Sequence, residues 1–223
     1  MIVAIDGPSG AGKSSVSDEV AKKINFAHLD TGAMYRAVAY LAHKNNLDLN
    51  DGESCGNLAK NADISFKYED NNPAYINIFV DGEEVSDAIR TDEITKAVTP
   101  VCKHSQVRDA LVLQQRKIGN TMDYIVDGRD IGTVVFPDAE LKIFLTASAE
   151  ERAARRVLQN EITGHGTTDF DEVLADINRR DYEDSNRDVA PLMAAKDSIV
   201  IDSTAMSKDE VIDEIISLIK EKI

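Results

Sequence analysis

The sequence has no tryptophan, two cysteines and five prolines, and aromatic residues supply 5% of its 223 positions. It has no apolar run near the roughly 20 residues that cross a bilayer, so a membrane-spanning chain is not expected. MIVAI runs straight into an acid, without the basic start and apolar stretch of a secretion signal. Cys55 and Cys102 lack the spacing of a metal site or disulfide framework, and the expectation is two idle, buried thiols in a reducing cytoplasm. Positive charge is scarce too: 25 Lys and Arg face 40 Asp and Glu, for a net charge of −15. A general nucleic-acid binder needs a basic face, so that class is set aside. With 43% hydrophobic and 29% charged residues, the composition is that of a globular protein with one full core and at most a small addition.

The few cations are unevenly spread. Six of the eleven arginines lie between Arg152 and Arg187. In an acidic protein this clustering suits a small anionic ligand, or else solvated helix faces.

Five short apolar runs read as buried parallel strands: Ile2–Ile5, Phe26–Leu29, Tyr124–Val126, Lys142–Leu145 and Ser198–Ile201. Helical patterns separate most of them. Val16, Val20 and Ile24 repeat every four residues, and Ser148…Glu151 and Ser207…Glu210 have capping-box spacing. This alternation predicts an α/β fold around a five-stranded parallel sheet. Residues 63–90 break the rhythm with ISFKY, a polar EDNNPA turn, YINIFV, an Asp81-Gly82 turn and EEV. Asp-Gly between β-rich runs is a hairpin signal, so a small antiparallel sheet is expected as an insert there. The core is then expected over 1–62, 91–150 and 190–223.

Gly7-Pro8-Ser9-Gly10-Ala11-Gly12-Lys13-Ser14 fits G-x-x-x-x-G-K-[ST], between an apolar strand and a helical pattern. Glycines let such a loop turn its N–H groups inward, and the following helix adds its positive end. Lys13 would reach the β- and γ-phosphates of a triphosphate, and the Ser14 hydroxyl would ligate Mg²⁺. Asp127 ends the third strand, where a carboxylate can hold water on Mg²⁺; an ordinary Asp-Gly turn is the alternative. Two other stretches stand at strand ends or among the clustered arginines: Asp30-Thr31-Gly32-Ala33-Met34-Tyr35-Arg36, and the run from Arg179 to Arg187. Loops at the carboxyl edge of a parallel sheet face the ligand crevice. There Arg36 could bind a second phosphate, and Arg129 and Asp130 extend the charged set.

Together these stretches resemble the bacterial cytidylate kinases, from IDGPSGAGKSS through DTGAMYRAVA, IRTDEIT, Val107-Arg108 and DGRDIGTVVFPDA to RRDYEDSNRDVAPL. The resemblance implies a three-layer P-loop kinase with an inserted, partly antiparallel monophosphate-binding part and a short helical lid over 151–189. It implies transfer of the γ-phosphate of ATP, with Mg²⁺, to CMP or dCMP by a cytoplasmic monomer without nucleic-acid or membrane partners. Arg36 and Arg129 match arginines near the acceptor phosphate. Arg108, Asp130 and Thr99 match positions that read cytosine, and Thr31, Asp184 and Arg187 match positions around sugar and base. Lys13 and the lid arginines, Arg180 with Arg155 or Arg156, would surround the migrating phosphoryl group. Gly-Lys-Ser-Ser stands where many relatives have Gly-Lys-Gly-Thr, which leaves two hydroxyls, Ser14 and Ser15, for Mg²⁺.

The chemistry agrees with those assignments. A guanidinium donates to cytosine's ring nitrogen and carbonyl while a carboxylate accepts from its amine. Uracil reverses that pattern and meets a mismatch. A uridylate- or shikimate-type kinase is the alternative within the architecture. A nucleotide-dependent switch is the alternative outside it, although the guanine-reading N-K-x-D motif is missing.

Overall fold

In the computed structural model, which describes residues 1–69, 72–164 and 166–223, the first apolar run forms β1 (Ile2–Asp6) and the glycine loop leads into α1 (Lys13–Ile24). There follow β2 (Ala27–Asp30), α2 (Thr31–Lys44), α3 (Gly52–Asn61), β3 (Ile64–Glu69), β4 (Asn72–Val80) and β5 (Glu83–Glu84). The chain continues through α4 (Asp92–Val101), α5 (Ser105–Gly119), β6 (Tyr124–Gly128), β7 (Leu141–Thr146), α6 (Ala149–Thr163), α7 (Phe170–Asn186), β8 (Ile199–Asp202) and α8 (Lys208–Lys220).

The five expected strands pair in parallel, in the order β2-β6-β1-β7-β8. Both faces are covered, and the two-residue side-chain period of a strand divides the core. Ala4, Leu29 and Val126 face a cluster with α2, α4 and α5. Val3, Ile5, Ile125 and Ile143 face α1 and α8. All five strands therefore end at one edge, and the register brings Asp30 level with Asp127, and Asp127 level with Ile5.

The expected insert is the antiparallel sheet β3-β4-β5. Asp81 at φ 51° and Gly82 at φ 82° give the two left-handed residues of a tight hairpin turn, and Asp81 also accepts a hydrogen bond from Asp63 N at 2.9 Å. Within the expected EDNNPA turn, Asp70 and Asn71 lie outside the described residues. Ile64, Ile78, Val80 and Val85 join the same cluster as α2 and α5, so this sheet extends the main core. Helices α6 and α7 pack on each other through Ala153, Val173 and Ile177. Ser148 accepts from Glu151 N to cap α6, one half of the expected box, whereas Ser207 and Glu210 form both halves before α8.

Candidate active site

At the centre of the carboxyl edge the chain turns from β1 to α1 through Gly10 (φ 76°) and Gly12 (φ 84°), both in the left-handed region. A Cβ on Gly7 would lie 2.0 Å from the Leu145 carbonyl oxygen, so only glycine fits where the loop leaves the sheet. Lys13 is the first residue of α1, so the helix's unpaired N–H groups and positive dipole end open into the loop. The Lys13 side chain is buried and its Nζ donates to the Pro8 carbonyl at 2.7 Å. Burial, then repulsion from Arg129, pushes its pKa down to about 7, against the pull of Asp127 and Asp6. Arg152 holds the loop from behind: Nη1 donates to Ser9 O at 2.9 Å, and it pairs with Asp181 at 2.7 Å.

Beside the loop lies an oxygen-rich corner. Ser14 Oγ donates to Asp127 Oδ2 at 2.8 Å, while His28 Nε2 meets Asp127 Oδ1 at 2.7 Å. Burial opposes the charge on Asp127, but the His28 hydrogen bond and nearby positive charge outweigh it and hold the carboxyl below the usual range. Ser14 Oγ with the Asp127 carboxylate is an all-oxygen donor set, which fits Mg²⁺. The alternative hydroxyl, Ser15 Oγ, turns back to the Gly12 carbonyl at 3.0 Å. His28 contacts Asp127 and not Ser14, so the three do not form a nucleophile–base pair.

On the acceptor side, charges of opposite sign alternate. Arg108 Nη2 donates to Asp130 Oδ2, both nearly fully buried. Arg187 Nη2 stands 3.6 Å from Asp130 Oδ1 and Arg187 Nη1 3.8 Å from Asp184 Oδ1. Arg129 Nε closes the row on Asp184 Oδ2 at 2.8 Å. Arg187 Nη2 is buried without a hydrogen-bond partner among the described residues, since 3.6 Å is too long for one. The Tyr35 ring lies under Arg108, 5.6 Å from guanidinium carbon to ring centre. Backbone geometry sets this row. Residues Ile131–Val135 form a π-helical turn, a form frequent at functional sites. Asp6, at the end of β1, accepts from Ile131 N and Gly132 N at 2.7 Å each. Burial raises the Asp6 carboxyl to about 6 despite those two bonds.

Further arginines come together from α2, α6 and α7. Arg156 has its pKa lowered by burial, then by Arg180 and Arg36, so three guanidinium groups share one neighbourhood. Arg180 Nε is 2.8 Å from Asp176 Oδ2 but poorly aligned for a hydrogen bond, and it has no bonded partner among the described residues. Arg156 Nη1 also donates to Gln159 Oε1 at 3.2 Å, and cations that repel one another in this way mark a candidate place for an anion.

Most of the sequence-predicted residues converge here, and three of them have contacts that the sequence did not reveal. Arg155 points elsewhere: its guanidinium donates to Ser203 Oγ at 3.0 Å and Ser203 O at 2.7 Å, and to Glu151 Oε1 at 2.9 Å. Neighbouring helix residues lie about 100° apart, so only one of Arg155 and Arg156 can face the arginine group. Thr31, the first residue of α2, is buried, and its Oγ1 donates to the Asp127 carbonyl at 2.7 Å, tying the start of α2 to β6. Thr99 lies near the end of α4, where its carbonyl accepts from Cys102 Sγ at 3.3 Å. Cys102 is not remote from the site: burial, then the Asp184 charge, raises its thiol pKa.

Sequence reasoning passed over His28 and Asp6, and gave no role of their own to Tyr35, Arg152 and Asp181 within the stretches it singled out. For His28 a signal existed, an imidazole inside an otherwise apolar strand.

A sequence model of the family described as cytidylate kinase matches residues 3–221. The cytidylate kinase of Enterococcus faecalis (strain ATCC 700802 / V583) is 47% identical over 220 residues, 99% of this chain and 96% of that protein. That of Clostridioides difficile (strain 630) is 47% identical over 219 residues, 98% of each. An uncharacterized protein from Eubacterium ventriosum ATCC 27560 of known structure has a TM-score of 0.55 at 13% identity, covering 99% of this chain and 98% of that one; this likeness speaks for the fold alone.

Proposed function

The chain belongs to the cytidylate kinase family, and from that premise we propose how its two half-sites carry out the reaction. The protein is a phosphotransferase that moves the γ-phosphoryl group of ATP to CMP. The observation that carries the acceptor reading is the open pair Arg187 Nη2 and Asp130 Oδ1, 3.6 Å apart beside Arg108. It offers a donor next to an acceptor, the complement of cytosine's ring nitrogen and exocyclic amine. dCMP presents the same base edge and is a second acceptor.

ATP lies with its phosphates on Gly7, Pro8, Ser9, Gly10, Ala11, Gly12, Lys13 and Ser14. Ser14 Oγ, supported by Asp127, would hold Mg²⁺, which neutralises charge on the β- and γ-phosphates. The exposed Ser15 donates to the Gly12 carbonyl rather than to Asp127, and is given no part in that. Lys13 leaves the Pro8 carbonyl for the phosphates. Arg156 and Arg180 face the migrating group, and Arg155 braces α6. Arg36 and Arg129 hold the acceptor phosphate in line, and for this Arg129 must loosen its pairing with Asp184. The acceptor phosphate is already an anion, so no side chain needs to remove a proton. Asp184 then flanks the sugar, and Arg187 spans from there to the base, its Nη1 3.8 Å from Asp184 Oδ1. The helical pair over 151–189 acts as the lid that excludes water, and the sheet within 63–90 supports the acceptor half.

Arg129→Ala is expected to lower kcat by about 10²–10³-fold, the scale for one preorganised charge donor, with ATP affinity unchanged in titration calorimetry. Turnover within a few-fold of the unaltered protein would contradict the role given to this arginine.

A further inference from the structure

His28 has no part in the chemistry above, yet it is buried against it. It sits on β2, level with Ile125 of β6, and its ring reaches along the neighbouring strand to Asp127, two residues on. The ring is 5% exposed as a residue, with Nε2 2.7 Å from Asp127 Oδ1. An ionised carboxylate only accepts hydrogen bonds, so Nε2 carries the proton in this contact.

Asp127 is thereby held at three points. His28 takes Oδ1, Ser14 takes Oδ2 at 2.8 Å, and Thr31 Oγ1 donates to the backbone carbonyl at 2.7 Å. Each carboxylate oxygen keeps a further lone pair for water around a cation. Of the two side-chain donors, Ser14 must also turn a lone pair to the metal. His28 is the donor with no second task. We propose that His28 is a positioning residue that fixes the orientation of the Asp127 carboxylate and so sets the strength of Mg²⁺-dependent ATP binding. The inference rests on the reading of Ser14 and Asp127 as the Mg²⁺ corner.

Two variants separate reach from polarity. In His28→Gln the amide nitrogen stands near the position of Nε2 and can still donate to Oδ1. In His28→Asn the same amide falls short and leaves the buried carboxylate one donor poorer. Loss of a partner that orients a metal-holding group typically costs about 10–100-fold in metal affinity.

Calorimetric titration of ATP with and without Mg²⁺, without acceptor, reads this directly, and CMP titration reports on the rest of the site. The expected result is that Asn cuts the Mg²⁺-dependent gain in ATP affinity at least about tenfold, while Gln stays within about threefold of the unaltered protein. Mg²⁺-free ATP affinity and CMP affinity should not move in either variant. An unchanged gain in the Asn variant, or an equal loss of all three affinities, would overturn the role of His28. If the unaltered protein gains nothing from Mg²⁺, the metal reading itself fails, which is a separate outcome. Nitrogen-15 NMR of the unaltered protein gives a reading free of any variant. The proton of His28 is expected on Nε2, with its signal shifting when Mg²⁺ and ATP are added. A bare Nε2 would contradict the proposal.

Discussion

Lys13→Met is expected to lower phosphoryl transfer by at least about 10³-fold, the scale of a cation that meets charge only as it moves between phosphates. The fold should survive the change. In the empty protein burial and Arg129 depress the Lys13 pKa to about 7, so its charge works against the folded state. The sign follows from linkage: between about 7 and the ordinary value of 10.5 the unfolded chain binds more protons than the folded one. Stability from this group is full above the ordinary value and is lost as pH falls through the depressed one. Methionine removes that dependence, and thermal melts between pH 7 and 10 should show a flatter slope in the variant. ATP reverses the balance, because phosphate beside Nζ favours the ammonium. At pH 8 the unaltered protein should take up roughly one proton on binding ATP, and the variant none, read by calorimetry in two buffers of different ionisation enthalpy. A variant with near-normal turnover would contradict the assignment of Lys13.

Asp130→Ala is expected to abolish measurable CMP binding and also to destabilise the protein. Arg108 and Asp130 are both nearly fully buried, and removing one partner leaves the other charge without compensation, at about 3–5 kcal/mol. The double change Arg108→Met with Asp130→Leu should recover most of that stability, since apolar residues of similar volume often replace a buried pair at little cost. It should not recover CMP binding. ATP binding should persist in the double variant, because the ion-pair partners of the Asp130 carboxylate among the described residues are Arg108 and Arg187 and not residues of the glycine loop. Urea unfolding and calorimetric titration together separate the two roles. CMP binding by the double variant would show that the buried pair serves packing alone.

Much of this was legible along the chain because contiguous segments carry it. The parallel strands show as apolar runs, the hairpin shows as Asp81-Gly82, and the phosphate loop is one unbroken stretch whose spacing reflects backbone geometry. Contacts across the sheet were not legible. His28 meets Asp127, and Asp6 meets Ile131 and Gly132, only through strand order and register, which bring together residues about 100 or more positions apart. Helix phase hid another choice: Arg155 and Arg156 are adjacent in sequence, and only the packing of α6 turns the second toward Arg36 and Arg180 and the first toward Ser203. Arg108 stood out only through the family resemblance, because a lone arginine in a helical stretch carries no signal of burial. Thr31 shows a further contact that the motif did not reveal, a hydroxyl that joins the start of α2 to β6.

A cytosine-reading acceptor half opposite an ATP loop shows itself in kcat/KM for CMP, UMP, AMP and shikimate, with ATP and Mg²⁺ in one coupled assay. CMP is expected ahead of UMP by at least about 10²-fold, because uracil sets a carbonyl against the Asp130 carboxylate and an N–H against arginine donors. Equal use of UMP, or a preference for UMP or shikimate, would contradict it.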